Sequence, residues 1–177
     1  MIQNPSMQRE DIERFLSICR ESTPALLQAA GVFVDYSEES LSHCEDFINA
    51  IYPVGHIPHP TTVLPFGYYL GETIIRNIPD SKWDVDTPAE TVWDIGVKIE
   101  IPFASEDMPR TQIVRPFMRA QKFWRDRSDG LRAMYILVNQ LSLGFVDPTK
   151  AKPGEWIELP VGIKFRYTIA IKEDLTE

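Results

Sequence analysis

The chain has 177 residues, 44% hydrophobic and 25% charged, enough for one ordinary hydrophobic core and unlike a disordered chain. Its formal net charge of -8 and pI near 4.9 exclude general affinity for nucleic acid, because phosphate binding comes from neutralising cations. No apolar run approaches the roughly 18 to 20 residues of a membrane span, and the start Met1-Ile2-Gln3-Asn4-Pro5-Ser6 lacks a basic and apolar signal segment, so a cytoplasmic location without a membrane partner is expected.

Three helices are predicted before Pro53. Ser6 is suited to cap the first, whose apolar positions Ile12, Phe15, Leu16 and Cys19 follow helical spacing, with Glu10, Asp11 and Glu13 near its positive end. Thr23-Pro24 reads as a fresh cap and first position for a short second helix from Pro24 to Ala30, ended by Gly31. Ser37 opens the third, with Leu41, Cys44, Ile48 and Ile51 as its buried stripe and Phe47 beside them. Cys19 and Cys44 fall on apolar faces and are expected to be small buried thiols.

From Pro53 to Pro65 four prolines and Gly55 predict a loop. It holds His56 and His59 in an H-x-x-H spacing, with His43 the other histidine. Prolines surround the pair and no third ligand stands at a recognised spacing, so no metal and no cofactor are expected.

The segment from Leu64 to Asn77 predicts a central helix, apolar on nearly all sides and therefore inside the protein. Gly67 and Gly71 each weaken a helix by about 1 kcal/mol relative to Ala, which predicts a close approach of another element to their face. Glu72 and Arg76 stand one turn apart on this helix, in the favourable orientation.

After Pro79 the period changes to two. Trp93, Ile95, Val97, Ile99 and Ile101 alternate with polar residues as in a strand with one wet face, and a short extended piece around Trp83 to Val85 precedes it. A second alternating run, Val161 to Ile171, has a short partner at Trp156-Ile157-Glu158-Leu159. Between the two lie a helix opened by Pro116, with apolar face Phe117, Ala120, Phe123 and Trp124, and a helix capped by Ser128 or Asp129. The stripe of the latter is Leu131, Met134, Tyr135, Val138 and Leu141, ended by Gly144. Alternation favours an antiparallel arrangement. The expected fold is a single α+β domain over residues 1 to 177: a sheet of about four strands, N-terminal helices, a buried central helix and two later helices packed on one face.

Charge is uneven. From Arg115 to Arg132 there are six basic and two acidic residues, and Arg115, Arg119 and Lys122 project together from their helix. A buried carboxylate at position 72 must be paired, hydrogen-bonded or protonated. Arg76 is the local partner, and a residue of the Arg115 to Lys122 helix is the alternative. Nothing marks Asp84, Asp86, Asp94 or Glu100 as a second acid. No nucleophile elbow, phosphate loop, dinucleotide fingerprint or H-E-x-x-H motif is present.

The segment Gly67-Tyr68-Tyr69-Leu70-Gly71-Glu72, with Arg76 and Trp83, resembles the G-x-Y-L-G-E-x-x-x-R … W signature of small bacterial proteins catalogued as domains of unknown function. Their later P-F-x-R-x-x-K and D-x-L-x-x-x-Y segments are matched by Pro116 to Lys122 and Asp129 to Tyr135. The resemblance implies a bacterial source and a shared α+β domain, with Glu72, Arg76, Arg119 and Lys122 as one polar network. It brings no activity or cofactor.

Two functions are therefore expected. The first is a non-catalytic interaction protein of the immunity or antitoxin type, whose acidic surface attracts a basic protein partner. The second is a small-ligand binding or catalytic domain that holds an anion with Glu72, Arg76, Arg119 and Lys122, and with Tyr69 beside them.

Overall fold

The computed structural model describes residues 6–56, 58–105, 109–128, 130–150, 155–158 and 164–166. Helix α1 (Arg9–Ala29) starts after Gln8 and runs straight through Pro24, so the second helix expected from Thr23-Pro24 is the last turns of the first. A helix-interior proline costs about 3 kcal/mol. Here the residues around it are held from outside, since Cys19, Thr23 and Leu27 are all buried. Tertiary burial outweighs the local signal.

Helix α2 (Glu38–Ile51) is opened by Ser37, whose hydroxyl accepts from the Ser40 amide at 3.1 Å. Leu41, Cys44 and Ile48 are buried as expected, whereas Ile51 is exposed. Both cysteines are free and buried. Helix α3 (Pro60–Asn77) begins earlier than its apolar pattern suggests, with His59 as cap, Pro60 in the first turn and Pro65 inside. It touches all four other helices and strands β1 (Lys82–Trp83) and β2 (Val97–Glu100). The two glycines explain how they come so close. A Cβ at Gly67 would lie 2.7 Å from the Phe117 backbone, and one at Gly71 would overlap the Trp83 indole.

Strands β1, β2 and β3 (Thr111–Val114) form an antiparallel sheet in that order, with Trp83 opposite Val97 and Ile99 opposite Gln112. The α+β class is as expected. Where about four strands were expected in one sheet, the described residues give three in this sheet and a separate antiparallel ribbon of β4 (Trp156–Glu158) and β5 (Lys164–Arg166). The rest of the expected Val161 to Ile171 strand, and Leu159, lie outside the described residues. Upstream of β2 the expected alternation is interrupted, because Val92–Asp94 forms a single 3-10 turn closed by Asp94 against Thr91. Ile95 and Ile101 are nonetheless buried at either end of β2. No strand was expected at β3.

Helices α4 (Pro116–Asp126) and α5 (Leu131–Ser142) follow. All four apolar residues expected on α4, Phe117, Ala120, Phe123 and Trp124, are buried. At the start of α5 the expected Ser128 cap is absent, and Asp129 lies outside the described residues. Gly130 holds the cap position, and Glu45 from α2 accepts the Arg132 amide at 2.8 Å in place of a local side chain. Two buried clusters result. The larger joins α2, α3, α4, α5 and the sheet, and the smaller joins Ile12, Leu16 and Cys19 of α1 to Tyr68 and Phe117.

Candidate functional site

Glu72 stands on α3 with its side chain 13% exposed. The Trp83 indole N–H donates to Glu72 Oε1 at 2.9 Å, and Arg76 Nε lies 3.5 Å from Oε2. The Arg76 guanidinium also covers the Tyr36 ring, 3.7 Å from its centroid. The expected Glu72 and Arg76 pair is present, with an indole as its third member. Tyr68, one turn back, is buried with no hydrogen-bond partner for its hydroxyl among the described residues. Burial pushes its ionisation up to about 12, with the Glu72 charge adding and Arg20 of α1 opposing.

Tyr69 is sealed in the core, and its hydroxyl accepts from the Tyr36 amide at 2.8 Å and is hydrogen-bonded to the Ser40 hydroxyl at 2.6 Å. It ties the start of α2 to α3, and it does not line the groove described below.

Arg119 and Lys122 stand elsewhere. Because α4 turns Phe117, Ala120, Phe123 and Trp124 inward, its cations lie on another side of the helix. With Arg115 they line a groove of about 500 Å³ between β3, α4 and α5, and neither Glu72 nor Arg76 lines it. The floor is Ile99 and Ile101 below, with Met134, Val138 and Leu141 of α5 opposite. This groove exists because α5 covers the inner face of β2 and leaves that of β3 half covered, as the intermediate burial of Gln112 and Val114 shows. Ile113 and Met118 extend the apolar surface outward, both more than two-fifths exposed.

The histidines do not gather. His56 stacks on Tyr52 with ring centroids 5.6 Å apart, and His59 caps α3. Among the described residues no three His, Cys, Asp or Glu side chains are placed to hold a metal.

Sequence reasoning missed Asp84, which is 3% exposed. Its carboxylate accepts from Lys98 Nζ at 2.9 Å and from the Thr87 amide at 3.1 Å. Burial pushes the Asp84 carboxyl up, and the Lys98 and Thr87 bonds outweigh it, so the group ionises below the usual carboxylate range. Lys98 also reaches Asp86 at 3.6 Å, and Asp86 meets Arg9 of α1 at 3.0 Å. The arrangement fastens the β1–β2 hairpin to α1. Its only sequence signal is alternation, which turns Lys98 away from the core but does not name its partner.

Comparison with protein-family models, with curated proteins and with solved structures gives no match. No helix among the described residues is long and apolar enough to cross a membrane.

Proposed function

We propose that the protein is a non-catalytic interaction domain of the immunity or antitoxin kind, which receives its partner on the groove between β3, α4 and α5. One observation carries this reading: a groove of mainly apolar lining with Arg115, Arg119 and Lys122 along one wall. Grooves that receive a segment of a partner protein are apolar, with side-chain pockets and a few polar groups giving specificity. The described residues lining the groove include no Ser, Thr, Tyr, Cys, His, Asp or Glu, which leaves Lys122 as the one side chain among them able to act as a nucleophile or to transfer a proton.

The acidic remainder of the surface favours a basic partner at long range, and that attraction is screened beyond about 8 Å. Contacts inside the groove answer to its own cations. The bacterial, cytoplasmic setting and the resemblance to domains of unknown function belong to this proposal as expectations. The signature residues do not support it, since Gly67, Gly71 and Glu72 are accounted for by packing against Phe117 and Trp83.

A second reading places a small anionic ligand in the same groove. The volume of about 500 Å³, within the range of small-molecule sites, favours it. Replacing Met118 with the photo-crosslinking residue p-benzoylphenylalanine separates the two, with position Ile18 on α1 as control. In extracts of the source cells a discrete protein adduct at 118 and none at 18 is expected. No adduct, together with a thermal shift from carboxylated or phosphorylated metabolites, would favour the small ligand, and the absence of both an adduct and a shift would remove the groove as a site.

A further inference from the structure

Among the described residues strand β3 stands at the edge of its sheet and pairs with β2 alone, and the direction of its free backbone groups follows from one hydrogen bond. The Ile101 amide donates to the Arg110 carbonyl at 2.9 Å, which makes these two a hydrogen-bonded antiparallel pair. Such pairs alternate along a ladder. Gln112 and Val114 therefore spend their amides and carbonyls on β2, while Thr111 and Ile113 turn theirs outward. On the same side of β3 the groove leaves apolar surface open, and Arg110 and Arg115 flank the strand. Both flanking arginines are exposed, with no side-chain hydrogen bond or ion pair among the described residues. Arg115 borders a cleft that also holds Asp84, Glu90 and Asp94 without pairing with any of them.

An unpaired edge next to an apolar groove suits strand addition, in which main-chain bonds give affinity and alternate side chains enter pockets. Arg110 and Arg115, one at each end of the strand, favour an occupant with carboxylates at both ends.

Resting on the reading that the groove is the binding face, we propose that β3 accepts an extended acidic segment of a partner protein as a fourth strand. Its alternate apolar side chains enter the groove over Met118 and Met134, and its carboxylates meet Arg110 and Arg115.

The test uses the full chain and two synthetic probes, acetyl-Glu-Val-Thr-Val-Thr-Val-Glu-amide and the same peptide with Lys at both ends. The acidic probe is expected to bind about tenfold or more tightly than the basic one, a difference expected to shrink with added salt. It is also expected to slow hydrogen exchange at the Thr111 and Ile113 amides. Methylating the probe nitrogens that face β3 should abolish binding. The double charge reversal Arg110→Glu with Arg115→Glu leaves the buried residues untouched and should invert the preference toward the basic probe.

Equal affinity for both probes, or no binding by either, overturns the proposal. If the acidic probe shifts the Met118 and Met134 methyl resonances while the Thr111 and Ile113 amides exchange as before, strand addition is wrong and the groove stands as a site. If no probe shifts those methyls and position 118 yields no adduct, the groove reading falls as well.

Discussion

The Trp83 indole donates its N–H to Glu72 Oε1 at 2.9 Å, and the same ring occupies the space that a Cβ at Gly71 would need. Phe117 stacks on the same ring with centroids 5.6 Å apart, and its backbone fills the corresponding space at Gly67. The two glycines, the acid, the tryptophan and the later phenylalanine thus form one packing unit between α3, β1 and α4.

That unit reverses an ordinary expectation. Glycine to alanine inside a helix stabilises by about 1 kcal/mol when the space is free. Gly67→Ala and Gly71→Ala should instead destabilise, by roughly 1 to 3 kcal/mol, because an added methyl forces neighbours off their positions. Gly67→Ala should be the more costly, since it meets backbone at 2.7 Å and not the rim of a ring. Urea denaturation of the two variants checks both the sign and the order.

Removing the indole donor leaves a mostly buried carboxylate with Arg76 alone, at 3.5 Å. Trp83→Phe keeps a ring near Gly71 and deletes the N–H, and it should cost about 1 to 3 kcal/mol. Combining it with Glu72→Gln should cost less than the sum of the single changes, because the two residues share one bond. A double-mutant cycle by chemical denaturation measures the coupling.

Arg127 closes two helices at once. It follows α4 in a left-handed conformation, with φ of 59°, and its guanidinium donates to the carbonyls of Phe123 and Trp124 on α4 and of Ile48 and Tyr52 at the end of α2. Arg127→Ala should cost about 2 to 4 kcal/mol, since four carbonyls lose a charged donor. Arg127→Gly loses the same bonds but tolerates the backbone, so it should be the milder change by about 1 kcal/mol. Thermal unfolding of the pair reads the difference.

Asp84 gives the fold a pH dependence of known sign. Its ionisation is depressed in the folded state, so it adds stability above the unfolded value of about 3.9 and that contribution fades as pH falls through the lower folded value. Lys98→Met removes the ammonium and leaves the carboxylate buried, which raises its ionisation instead. The variant should be clearly less stable than wild type at pH 7 and closer to it near pH 4.5, a range set by ordinary carboxylates. Urea midpoints at both values test this, and an equal deficit at each would contradict it.

How much of this was legible in the sequence depended on whether the cause lay along the chain or across it. The inward face of α4 could be read directly, because Phe117, Ala120, Phe123 and Trp124 recur at helical spacing. The close approach at Gly67 and Gly71 was legible as a requirement, but not the identity of the approaching residues. Pro24 misled because a proline states only a local cost, while the burial of Leu27 that offsets it is a tertiary fact. Strand β3 was invisible, since Thr111-Gln112-Ile113-Val114 is too short to display a period. The three groove cations were visible as a set, whereas the apolar floor opposite them comes from β2 and α5 and required the fold.

The structural acid on α3 and the binding face on α4 are separate features, and titrating the acidic probe into Glu72→Gln and Arg115→Glu side by side tests that separation. Glu72→Gln is predicted to unfold more easily yet bind with wild-type affinity, while Arg115→Glu is predicted to keep its stability and lose about tenfold or more in affinity. Lost binding in Glu72→Gln with unchanged binding in Arg115→Glu would contradict it, and would return the site to the central helix.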